Sequence, residues 1–324
     1  MRMLATFFWL GWFAVSPLQA ELTGTLRIAG NPELDSRVAH WAAAFQRQHP
    51  GLKVETHLTG SDTAMAALYT GKADLALLGR TPTLIEIQAF EWIHRYKPAQ
   101  MEILTGSLDH PGRSPALSVL VHPDNPIRGL TLAQLEAVFG TEHRRSATNI
   151  RTWGQLGLTG EWADHAISLY GPDAMSGTGR FFRHEILGDS RMMNWEALRE
   201  FSESENSATP HDAGKQIRDA LAKDRFGMAV APLDSSDDRV RPLPLAADAK
   251  AQPIELSSAT LISREYPLTR AVIACFNRPI GGPPDPVVRE FLTFVLSAEG
   301  QEDAGDGYLP LSAEDAARQL SKLE

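Results

Sequence analysis

The sequence predicts an α/β protein built as two lobes, and three observations predict it. Short apolar strands alternate with amphipathic helices along most of the chain, which is the rhythm of strand–helix–strand units on a sheet parallel at least in part. The length of 324 residues is more than one ordinary hydrophobic core comfortably holds. Stretches rich in Pro, Asn and Asp break the rhythm near residue 115 and again over residues 234–253.

Residues 25–29 read as a strand, and 35–48 as a helix with Val38, Trp41, Ala42 and Phe45 at helical spacing. His49-Pro50-Gly51 ends that helix, because Pro cannot continue the ladder and Gly accepts the turn. Residues 53–58 alternate like a strand, 63–69 are helical, and 74–78 form a buried strand. A further buried strand at 116–121 meets the sharp break His122-Pro123-Asp124-Asn125-Pro126. Then follow a helix at 132–139, a strand at 166–170, helices at 180–187 and 213–223, and a strand at 226–231. Strands at 260–263 and 271–276 and a helix at 287–297 return to the first lobe. The expected division is residues 21–115 with 255–324 for the first lobe, and 116–254 for the second.

Residues 1–20 stand apart as a secretory signal. Arg2 supplies the positive start, Leu4 to Val15 the apolar run, and Pro17-Leu18-Gln19-Ala20 a cleavage site ending on a small residue. The run is too short to cross a bilayer, and no later segment has the necessary apolar length. No Cys near the cleavage point offers a lipid anchor, so the mature chain is expected to be soluble and periplasmic.

The net charge is −9. Loss of Arg2 with the leader takes it to about −10, which argues against nucleic acid as a partner. The only cysteine, Cys275, lies in the apolar run 271–276 and reads as a small buried hydrophobe.

The signatures of an enzyme are missing in specific ways. His184-Glu185 is followed by Ile-Leu-Gly, so a metalloprotease helix lacks its second His. Ser176 lacks the Gly two residues earlier that a nucleophile elbow needs. Gly177-Thr178-Gly179 has no third spaced Gly for a dinucleotide loop, and neither Gly71-Lys72 nor Gly214-Lys215 completes a nucleotide phosphate loop. No cofactor and no metal are expected, and the chain is not read as an enzyme.

What remains is two Gly/Ser/Thr clusters at helix starts. Thr59-Gly60-Ser61-Asp62-Thr63 follows one strand and opens a helix; Ser176-Gly177-Thr178-Gly179 precedes another helix. A helix start leaves backbone N–H groups unpaired and carries positive partial charge. Gly lets a ligand approach the backbone, while Ser and Thr hydroxyls add donors. Each cluster alone reads as an ordinary cap. Facing each other across a cleft, the pair would bind an oxyanion.

At these residues the chain resembles the phosphate-binding family of periplasmic solute receptors. The ordered motifs run from Leu26-Arg27-Ile28-Ala29-Gly30 with Trp41, through Gly60-Ser61, Gly71-Lys72-Ala73-Asp74, Trp153, and Ser176-Gly177-Thr178 with Phe181-Phe182. They continue to Tyr266-Pro267-Leu268 with Arg270 and to Gly307-Tyr308-Leu309-Pro310-Leu311. The resemblance implies a type II periplasmic-binding-protein fold, two α/β lobes with a cleft and hinge. It further implies a monomer that delivers phosphate or a related oxyanion to an ABC permease. Ser61, Ser176, Gly177 and Thr178 match the family's ligand positions, with Asn31 and Gly60 in the adjoining loops.

Other positions depart from the pattern. Pro32-Glu33 follows Asn31, where a hydroxyl and a free N–H belong. Pro172 and Ala174 replace an Arg and an Asp, and Gly79 replaces a carboxylate. Arg80 and Arg180 stand beside the vacated positions as substitutes. The alternative reading is a degenerate receptor that contacts a membrane sensor and signals without a tight small ligand.

Overall fold

The computed structural model describes residues 22–110, 113–202, 212–302 and 304–324; the expected leader at 1–20 lies outside the described residues. The chain begins β1 (Gly24–Gly30), α1 (Asp35–Gln48), β2 (Leu52–His57), α2 (Ser61–Tyr69), β3 (Leu75–Leu78), α3 (Leu84–His94) and β4 (Ala99–Thr105). It continues with β5 (Leu117–Val121), β6 (Leu130–Thr131), α4 (Leu132–Phe139), β7 (Ser168–Pro172), α5 (Gly177–Leu187) and β8 (Leu198–Phe201). Then come α6 (Ala213–Leu221), β9 (Gly227–Pro232), β10 (Arg241–Leu243), β11 (Leu245–Ala246) and α7 (Ser258–Ile262). β12 (Ala271–Phe276), α8 (Pro286–Val295) and α9 (Ala313–Leu320) complete it.

Two five-stranded sheets organise these elements. The first has the order β2-β1-β3-β12-β4, with β1, β2 and β3 parallel and β12 antiparallel to both of its neighbours. The second has the order β10-β5-β9-β7-β8, with β7 parallel to β8 and β9, and β5 antiparallel to β9 and β10. β6 and β11 form a short parallel pair.

Each sheet buries its own core. Beneath the first, Trp41 and Phe45 of α1 pack with Leu26, Ile28, Leu77 and Phe291. The Phe45 and Phe291 rings meet edge to face, 5.2 Å apart at 87°. Each such fully buried side chain contributes about 1.5–3 kcal/mol by leaving water. A buried ion pair ties α1 to the chain's end: Arg37 Nε and Nη2 donate to Asp306 at 2.8 and 2.6 Å, and Nη1 donates to the Glu302 carbonyl at 2.8 Å. The second core joins Leu117 and Val119 to Phe139, Trp153, Phe182 and Met228.

One strand expectation is corrected. Residues 260–262 lie in a helix, α7, with Ser263 at its C-terminal cap, and the reason is local: Ser257 Oγ accepts the Thr260 N–H at 3.2 Å and Thr260 Oγ1 accepts the Ser257 N–H at 3.0 Å. Leu261, Tyr266 and Leu268 pack into the second core, and the Tyr266 hydroxyl donates to the Leu117 carbonyl at 3.0 Å. Only at β12 does the chain enter the first sheet again. Among the described residues, no helix is long and apolar enough to cross a membrane.

Candidate ligand-binding cleft

Parallel strands deliver their following loops to one edge of a sheet, where ligands are commonly held. In the first sheet, β1 and β3 pair through Gly30 and Leu77. The segments leaving β1, β2 and β3 at that edge carry Asn31, Gly60-Ser61 and Gly79-Arg80. In the second sheet, β7 ends at Pro172 and the chain turns into Ser176 and α5. All eight sequence-predicted site residues therefore sit in loops or first turns of this kind.

The two helix starts are capped differently. Gly60 precedes α2 at φ 144°, a conformation that disfavours any side chain, and gives α2 no side-chain cap. The Ser61 hydroxyl makes no hydrogen bond within the described residues, which leaves this end of α2 open to an acceptor. Ser176, by contrast, caps α5: its Oγ accepts the Gly179 N–H at 3.0 Å and donates to the Asp173 carbonyl at 2.7 Å. Its hydroxyl is thus occupied by the cap. Gly177 is exposed, with nothing within 4 Å of where a Cβ would stand. Thr178 presents its hydroxyl toward Arg270, whose Nη1 lies 3.4 Å from Oγ1.

Arg270 belongs to the Tyr266-Pro267-Leu268 motif but not to the ligand positions that the sequence implies. It is 4% exposed, donates from Nη2 to the Gly79 carbonyl at 2.7 Å, and holds its guanidinium 5.7 Å above the Phe181 ring. One buried side chain thereby joins the end of β3 to the start of α5. Only a glycine fits at 79 as the site stands. An added Cβ would meet Ser114 Oγ at 2.6 Å and Asn31 Nδ2 at 2.7 Å. A carboxylate side chain at this position would have to displace Asn31 and Ser114.

Asn31 is held within its own loop. Its N–H donates to the Leu77 carbonyl at 3.0 Å, Oδ1 accepts the Glu33 N–H, and Nδ2 donates to Glu33 Oε2, both at 3.2 Å. The same Glu33 oxygen accepts from the Ser114 N–H and hydroxyl, each at 3.0 Å. The Glu33 carboxylate is thus anchored to the connection between the sheets, where three donors offset its charge.

Arg80 is 5% exposed and has little left to offer a ligand. Nη1 and Nη2 pair with both Glu86 oxygens at 2.9 and 2.7 Å, Nη1 also donates to the Thr81 carbonyl, and Nη2 contacts Asp62. Burial opposes its charge, but Glu86 and Asp62 outweigh burial and raise its pKa. Arg180 lies more open, with 28% of its side chain exposed, and its Nη1 donates to Asp62 Oδ1 at 3.1 Å. Pro172 and Ala174 are buried and line a small apolar recess with Phe139, Phe182 and Met193.

A model of the "PBP superfamily domain" matches residues 16–299. The phosphate-binding protein PstS of Pseudomonas aeruginosa is 32% identical over 306 residues, covering 93% of this chain and 88% of that protein. The chain belongs to the PstS family of phosphate-binding proteins within the PBP superfamily. Among solved structures, PstS from Borrelia burgdorferi superposes with a TM-score of 0.60 at 16% identity, covering 89% of this chain and 99% of that one. An ABC-type phosphate transport receptor from Vibrio cholerae gives 0.58 at 20%, covering 88% and 99%. This family member has the type II periplasmic-binding-protein fold. Its relatives are named as binding proteins and transport receptors.

Proposed function

We propose that this protein is a periplasmic receptor that binds phosphate or a related oxyanion between the starts of α2 and α5 for an ABC importer. The observation that carries the reading is the apposition of those two helix starts. Asp62 of α2 reaches Arg180 of α5 at 3.1 Å, and Arg270 reaches Thr178 at 3.4 Å. Open N–H groups at Ser61 and at Gly177-Thr178, with Arg270 behind them, form a compact set of donors for several oxygens at once. The 32% identical Pseudomonas relative is named for phosphate binding, which supports the same ligand class.

In this reading residues 21–115 and 255–324 make one lobe and 116–254 the other, with α7 resting against the second. The mature protein is exported by its leader, works as a monomer and carries out no turnover. Melting the mature protein with and without millimolar phosphate, sulfate, phosphonates and organic acids tests the proposal, because a ligand that binds only the folded state raises the melting temperature. A rise with phosphate is expected, and no rise with any of these anions would overturn it. A receptor that signals without a small ligand is the reading that would then remain. The pairing of Arg80 and Arg180 with Asp62 is the observation that favours it.

A further inference from the structure

We propose that Asp62 is an internal counter-anion and latch, bridging Arg80 and Arg180 across the cleft so that protein charges draw the lobes together. The latch itself rests on geometry. Its competition with a bound anion rests on the oxyanion-receptor reading.

Asp62 occupies the first turn of α2, one residue after Ser61, where the helix end favours a negative charge. Its Oδ1 contacts Arg80 Nη2 on its own side and accepts from Arg180 Nη1 at 3.1 Å on the other. Arg80 does not need it for neutrality. Glu86 already binds that guanidinium through two oxygens at 2.7 and 2.9 Å. The charge of Asp62 is therefore the surplus one, and Arg180 is what it balances. Among the described residues, Arg180 forms no other ion pair.

Two arginines and two carboxylates leave this cluster neutral. An anion entering beside Ser61 meets the Asp62 charge at the same helix start, and it gains Arg180 as a partner only by displacing that carboxylate. With 68% of its side chain exposed, the Asp62 carboxylate can swing away at little cost. A latch of this kind releases when a better acceptor arrives.

X-ray scattering from the mature, anion-free protein and its Asp62→Asn and Arg180→Gln variants tests the latch. Both variants are expected to have a larger radius of gyration than the parent, and the double variant no larger than either single one. Unchanged scattering in both singles overturns the latch. Asp62→Asn replaces an exposed side chain, so its melting curve should show a folded protein; Arg180→Gln gives the independent check. Calorimetric titration with inorganic phosphate tests the competition. Asp62→Asn should bind about fivefold tighter than the parent. Unchanged or weaker binding overturns the counter-anion role. Should scattering change while neither protein binds phosphate, the latch stands and the phosphate reading falls.

Discussion

Arg270 holds its Nη1 3.4 Å from the Thr178 hydroxyl, so a buried cation from the segment entering β12 reaches the first turn of α5. The same guanidinium grips the Gly79 carbonyl at 2.7 Å. A positive charge fixed at both ends beside a helix start is preorganised for an anion.

Replacement of Arg270 by Ala is therefore expected to weaken phosphate binding by about 10- to 100-fold, the range for losing a charged hydrogen bond. Arg270→Lys should recover only part of this, because an ammonium cannot span Gly79 and Thr178 as a planar fork does. Titration calorimetry on both variants, with circular dichroism as the check on folding, measures the difference.

Gly79→Ala is expected to cost about 1–3 kcal/mol of stability, since the new methyl presses on Ser114 and Asn31, which are both tied to Glu33. Adding Ser114→Gly should recover part of the loss. Urea unfolding of the single and double variants measures the coupling; additive losses would show that the crowding at 79 lies elsewhere.

Arg37→Ala should destabilise the protein by about 3–5 kcal/mol, because it leaves Asp306 charged and buried without its partner. Arg37→Met should do no better, as the carboxylate remains stranded. Chemical denaturation, followed by fluorescence of the tryptophans, reads the effect.

Alkaline pH supplies a further test through Tyr170. Burial, and then the hydrogen bond from its hydroxyl to Asp224 Oδ2 at 2.8 Å, pushes the Tyr170 phenol up to about 12. A phenol that ionises more readily in the unfolded chain, near 10, stabilises the fold fully below that pH and loses its contribution between about 10 and 12. Stability should fall over that window, and Tyr170→Phe should fall less steeply. Denaturation midpoints taken from pH 8 to 12 give the comparison.

Local signals told where most elements lie. The bounds expected for α1 and α4 match those observed, because Pro50 and Gly140 stop helices with clear apolar faces. Apolar periodicity does not mark α3, because its apolar residues lie on both sides: Phe90 is buried while Ile85 and Trp92 are exposed. Its usable signal was the capping box of Thr83 and Glu86. Strand spacing and glycine placement pointed to the two helix starts. The charges around them were harder, because their partners come from distant sequence. Arg270 matters only once β12 lies beside β3, and Asp62 looks like any acid in a first helical turn until Arg180 is seen across from it. Gly79 reads as a loss of function in one dimension and as a steric requirement in three.

The position of β12 also bears on how the molecule is made. β12 separates β3 from β4 in the first sheet, so that sheet lacks its inner antiparallel strand until the chain has been made as far as residue 276. The second sheet draws all its strands from residues 117–243 and can pair fully while the first still waits. Such long-range closure is slow, and until it happens β3 and β4 expose unpaired edges to neighbouring chains. The interval before β12 arrives is thus when a nascent copy is most exposed to aggregation, and a chain cut short before Ala271 never leaves it.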